Sequence, residues 1–119
     1  MKTYCLVNEL KPGHVDDYVK VHEEAHRSEW RTQLTALKNA GAENCVAYVY
    51  KNLAILLYTC EDIEESFRAL GQDEDNNRWQ EMVAPFFAAT PKFDGTGPIE
   101  PVRKIFDLNQ QLEGRLEQP

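Results

Sequence analysis

Tyr18, His22, His26 and Trp30 recur at every fourth position of the stretch Tyr18-Val-Lys-Val-His22-Glu-Glu-Ala-His26-Arg-Ser-Glu-Trp30. On an α-helix four residues overshoot one turn by only about 40°, so the four rings would form one near-continuous stripe. The chemistry of such a stripe is proton transfer: histidine titrates near neutrality, and a phenol one turn before it is a neutral hydrogen-bond donor. The same spacing also suits a solvated face shared with Lys20, Glu23, Glu24 and Arg27, and spacing alone leaves both readings open. Trp79 is equally two-sided. It stands at helical spacing with Met82, Val83 and Phe86, as a core residue would, yet a flat indole is also how proteins grip the apolar face of a sugar.

Other chemistries are poorly provided for. His22 and His26 form an i,i+4 pair, but nothing later in the chain supplies an obvious third ligand, so no metal is expected. Cys5, Cys45 and Cys60 are odd in number, widely spaced and without a CxxC pattern, which fits reduced, buried thiols of a cytoplasmic protein. There is no GxSxG, no Gly-rich phosphate loop and no visible Cys–base pairing. The acidic pairs Asp16-Asp17, Glu23-Glu24 and Glu64-Glu65 read as solvated surface. A formal charge of −7 argues against nucleic acid and anionic membranes as partners, because both are polyanions. No secretory leader pattern and no apolar run of bilayer length is present, so a cytoplasmic protein is expected.

The elements that must position these residues follow from periodicity. Thr3 to Leu10 alternates as a first strand, Lys11-Pro12-Gly13 breaks it, and a helix is predicted from about Val15 to Asn39, ended by Gly41. Asn44–Tyr50 and Leu53–Cys60 read as a hairpin around Lys51-Asn52, the second strand central because it is almost wholly apolar. Helices are predicted over Glu61–Leu70 and about Asn76–Ala88, then a Pro/Gly-rich loop, then a last strand over Val102–Leu108. A single domain over residues 1–108 is expected, with 109–119 a polar C-terminal tail forming a short helix or fraying.

That order is the ferredoxin-like βαββαβ pattern, an α+β fold with an antiparallel sheet covered by helices on one face. The bare face needs cover, and a second copy packed sheet to sheet is the economical solution, giving a homodimeric α/β-barrel.

The stretches Lys11-Pro-Gly-His-Val-Asp-Asp-Tyr18-Val-Lys-Val-His22, Gly41-Ala-Glu-Asn44, Asn77-Arg-Trp79 and Pro101-Val-Arg-Lys-Ile-Phe106 together resemble the L-rhamnose mutarotase family. The resemblance implies a dimeric, cofactor-free enzyme that interconverts the α and β anomers of a 6-deoxyhexose pyranose, L-rhamnose first and L-fucose next. It implies Tyr18 and His22 as the catalytic pair and Trp79 as the sugar-stacking indole, with Asn8 and Cys45 also set against the substrate. Two departures stand out. One extra helical turn separates His22 from Trp30, so an alignment from the far end of the helix selects His26 instead. Cys45 occupies the place of the family's strand tyrosine, and Tyr48 falls three residues away, on the opposite face of the strand. Two rival readings remain: a non-catalytic or regulatory ferredoxin-like dimer, and a small αβ-barrel enzyme acting on an apolar substrate.

Overall fold

Alternation of apolar residues builds three antiparallel strands, β1 (Lys2–Glu9), β2 (Asn44–Tyr50) and β3 (Leu53–Cys60), ordered β1-β3-β2 in a computed structural model that describes all 119 residues. The apolar strand β3 is central, with both its edges hydrogen-bonded, one to β1 and the other to β2. Register pairs Leu6 with Leu56 and Asn8 with Ala54 on one side, and Cys45 with Tyr58 and Ala47 with Leu56 on the other. Since side chains alternate, Tyr4, Leu6, Asn8, Cys45, Ala47, Ala54, Leu56 and Tyr58 share one face. The helices α1 (Val15–Glu23), α2 (Arg31–Asn39), α3 (Ile63–Gly71) and α4 (Glu74–Val83) lie against that face. No helix is long and apolar enough to cross a membrane.

The single helix predicted over 15–39 is instead two. After α1 the chain makes a 3-10 turn at Ala25–Arg27, extends at Ser28 and restarts at Arg31. Ser28 explains the break: its Oγ accepts the Trp30 N–H at 3.1 Å, a local bond that competes with the helical ladder. Arg31 reinforces it by donating to the His26 carbonyl at 3.0 Å. The four-ring stripe therefore does not continue past Glu23. At the other end of α2, Gly41 takes φ +95, and the Ala42 N–H reaches the Leu37 carbonyl while Gly41 N–H reaches that of Lys38, a Schellman closure.

The two later helices start at aspartates. Asp62 accepts the Glu65 N–H and Asp73 the Asn76 N–H, caps worth about 1 kcal/mol each. The second cap starts α4 earlier than its apolar pattern indicates, and Val83 rather than Ala88 ends it, with Pro85 inside a following 3-10 turn. Gly71 sits where a Cβ would stand 2.1 Å from the Asp94 carbonyl oxygen, so only glycine lets the 90–101 loop approach α3 and set Phe93 against Phe67, ring centroids 5.3 Å apart.

The last predicted strand, Val102–Leu108, does not form. The outer edge of β1, where a ferredoxin-like sheet carries its fourth strand, is met there by one bond, Val102 N–H to the Cys5 carbonyl at 2.7 Å. Beyond it Lys104 turns its backbone N–H and carbonyl to the Gln118 side chain, satisfying them without a ladder. Ile105 and Phe106 are left exposed, and a short helix α5 (Leu108–Leu112) follows, capped by Asp107. The opposite sheet face, with Cys5, Val7, Val46, Tyr48, Ile55 and Leu57, carries no helix, and Tyr48 is 57% exposed.

The core is divided in two. Tyr4, Leu6, Tyr58, Ile63, Phe67 and Leu70 pack beneath α3, whereas Leu10, Tyr18, Ala54, Trp79, Val83 and Phe87 pack beneath α1 and α4. Members of both clusters wall the space between them.

Candidate active site

That space is a cavity of about 350 Å³, within the usual range for a small-molecule site. Of its 21 lining residues 15 are hydrophobic, and the remainder are Asn8, His22, Glu23, Gln33, Asn76 and Gln80.

Helix α1 contributes Tyr18 and His22 from successive turns, their ring centroids 4.1 Å apart. The His22 Nδ1 lies 2.7 Å from the Tyr18 carbonyl oxygen. A carbonyl can only accept, so Nδ1 carries the hydrogen and Nε2 keeps its lone pair as a base. Burial lowers the His22 pKa below its ordinary 6.5, and the bond to Tyr18 opposes this only in part, so the ring is neutral at pH 7. Burial pushes the Tyr18 phenol up to about 12, which keeps it a protonated donor.

From the other side α4 brings Trp79, whose ring meets His22 edge to face at 5.0 Å. Trp30, at the start of α2, also packs edge to face with that indole at 5.8 Å, and Arg78 lies over Trp30 at 5.4 Å. Trp79 is thus buried and packed against two aromatic neighbours. The sheet floor supplies Asn8 and Cys45. Cys45 is a protonated thiol, burial having raised its pKa to about 11. Tyr48 points to the other face, whereas Tyr58, opposite Cys45, lines the cavity but commits its hydroxyl to Ser66.

The structure therefore gathers Tyr18, His22, Trp79, Asn8 and Cys45 around one space. It does not bring His26 there. The break after Glu23 leaves that imidazole exposed on a 3-10 turn, outside the lining.

Sequence reasoning missed Gln33, Asn76, Gln80 and Phe93. The first two carried a readable signal. Gln33 shares the Ala36, Leu37 and Ala40 face of α2, and Asn76 sits at i−3 and i−7 from Trp79 and Val83, so each is a polar residue at core spacing. Phe93 had none, because its place depends on how a loop folds back.

An α+β fold whose aromatic-walled cavity holds a neutral histidine beside a phenol donor has the groups that proton-transfer chemistry on a small molecule requires. The family model described as L-rhamnose mutarotase matches residues 3–108, and the chain belongs to that family of enzymes acting on sugars. No curated protein matches it. Among solved structures it is similar to L-rhamnose mutarotase FA22100 from Formosa agariphila, at 15% identity and TM-score 0.65, over 91% of this chain and 99% of that one, a likeness of fold.

Proposed function

We propose that this chain interconverts the α and β anomers of L-rhamnose, with L-fucose the next candidate, by acid/base ring opening at His22 and Tyr18. The observation that carries the reading is the convergence of Tyr18, His22 and Trp79 on one cavity. His22 Nε2 takes the proton of the anomeric hydroxyl as the C1–O5 bond breaks, and the departing electron pair on O5 takes a proton from Tyr18 or from a water. The open aldehyde turns about its C1–C2 bond, O5 attacks the other face, and the proton transfers run in reverse. Positioned acid/base groups are worth roughly 10²–10⁴-fold, sufficient for a reaction that already proceeds unaided. Trp79, braced by His22 and Trp30, offers its face to the apolar side of the sugar and fixes its orientation. No step calls for a cofactor, and a neutral sugar is indifferent to the net charge of −7.

The bare apolar face of the sheet supports a homodimer, and the three free thiols suit a cytoplasmic setting. The hydrophobic majority of the lining favours, as a second reading, an enzyme acting on an apolar substrate. Exchange NMR on the anomeric signals of a panel of 6-deoxyhexoses separates the two. Acceleration for L-rhamnose is expected, and no acceleration for any sugar refutes the mutarotase reading.

A further inference from the structure

The 91–101 loop is pinned at both ends and unbonded between them. The Ala88 N–H donates to the Glu9 carbonyl at 2.9 Å and the Val102 N–H to the Cys5 carbonyl at 2.7 Å. From Pro91 to Pro101 no hydrogen bond or ion pair joins the segment to the rest of the protein. Its bonds are internal, the Asp94 carboxylate accepting from the backbone N–H and the hydroxyl of Thr96. What holds it is apolar: Phe93 and Ile99 pack on the cluster that contains Leu6 and Phe67. Where it meets α3, Gly71 faces Asp94 and Gly95 faces Arg68, so backbone passes backbone without an interlocking side chain. A segment with few buried apolar contacts and no backbone bonds to the body belongs to the part of a fold that opens at least cost.

Phe93 is also a partition. It lines the main cavity, and with Asn8 and Phe67 it lines a second space of about 140 Å³ under the loop, bounded also by Lys92, Pro98 and Glu100. Lifting Phe93 joins the two. Lys92 and Glu100 are exposed, so the second space has a polar rim. Asn8, common to both spaces, is half-buried, and its side chain makes no hydrogen bond in the protein. Its amide is therefore free both to donate and to accept, which suits a hydroxylated ligand giving up water as it crosses. We propose that the 91–101 segment is a lid, and that the sugar reaches His22 and Tyr18 through the second space, passing Asn8 as Phe93 lifts from Phe67. The nature of the ligand rests on the mutarotase reading, which the lid deepens. A gate of this kind slows or speeds arrival and departure alike, so it acts on rates and leaves the equilibrium constant unchanged.

The test narrows the second space from its exposed rim with Lys92→Trp and Glu100→Trp. The probe is 1,5-anhydro-L-rhamnitol, a ring without an anomeric hydroxyl, with kon and koff taken from NMR line shapes, Kd from calorimetry and folding from thermal melting. Both variants are expected to lower kon and koff together by about tenfold with Kd within about twofold of wild type, and Phe93→Ala to raise koff about tenfold. An unchanged kon in the folded Trp variants overturns the inference, as does a changed Kd without a changed kon. Leu34 of α2, which lines the cavity and is 39% exposed, marks the other approach, and slowing confined to Leu34→Trp overturns the inference as well. Should neither rim variant fold, an unchanged koff in Phe93→Ala overturns it. Wild type that does not bind the probe overturns it too. Exchange NMR on L-rhamnose runs beside these measurements: wild type that binds the probe but accelerates no sugar refutes the mutarotase reading, while the lid is still judged by the rates.

Discussion

Replacing His22 with Ala removes the only imidazole that lines the cavity and leaves Tyr18 and Trp79 in place. Because the folded-state pKa of His22 lies below 6.5, most molecules at pH 7 carry the free Nε2 base. A positioned base contributes roughly 10²–10⁴-fold, about 3–5 kcal/mol at about 1.4 kcal/mol per tenfold. The enzyme-dependent exchange rate between anomeric signals of L-rhamnose is therefore expected to fall at least a hundredfold in His22→Ala and in His22→Gln, approaching the uncatalysed rate. His26→Ala, altering an exposed turn, should stay within twofold of wild type. The wild-type rate should rise with pH through a midpoint below the ordinary histidine value of 6.5 and then level off. His22→Ala also loses ring contacts at 4.1 and 5.0 Å, so thermal melting must show it folded at the assay temperature. Undiminished exchange in folded His22→Ala, or exchange abolished by His26→Ala, would refute the assignment of the base.

Acid should destabilise the fold through the same residue: between the lowered folded pKa of His22 and 6.5 the unfolded chain binds the extra proton, so stability is fully present above about 6.5 and declines as pH falls through the folded value. Urea midpoints between pH 7.5 and 4.5 should show that decline, and His22→Gln should flatten it. Trp79→Ala removes the braced indole, and a rise in KM of about tenfold or more is expected by exchange NMR; an unchanged KM would mean the sugar does not stack there. Gly71→Ala drives a Cβ to 2.1 Å from the Asp94 carbonyl oxygen, so the 90–101 loop must lift from α3 or the helix must shift. A loss of about 2–4 kcal/mol in denaturant unfolding is expected, and a loss under about 0.5 kcal/mol would show the approach to be dispensable.

Much of the architecture was local information. Alternation marked the first strand, the near-continuous apolar run Leu53–Cys60 marked β3 as central, Lys51-Asn52 marked the hairpin, Gly41 ended a helix, and Tyr18 and His22, one turn apart, had to share a face wherever their helix packed. The family match over residues 3–108 agrees with the resemblance carried by those short motifs. What failed was continuity. A period-four pattern of rings says nothing about a serine that bonds its own backbone, so Ser28 removed His26 from the stripe, while Trp30 reached Trp79 from a different helix. Residues 102–108 have the alternation of a strand, but a strand exists only where a partner edge accepts it, and Lys104 found Gln118 instead.

Tertiary structure alone decided which polar residues face the cavity, because facing depends on how α2, α4 and the 90–101 loop pack against the sheet. Gln33 and Asn76 stand in the sequence as polar interruptions of apolar helix faces, and only their packing turned the two amides toward each other and left one oxygen unanswered. The sequence by itself put Tyr18 and His22 one turn apart on one helix face, the spacing that proton transfer between them and a ligand requires. The walls around them were set by contacts between residues as far apart as 33 and 76.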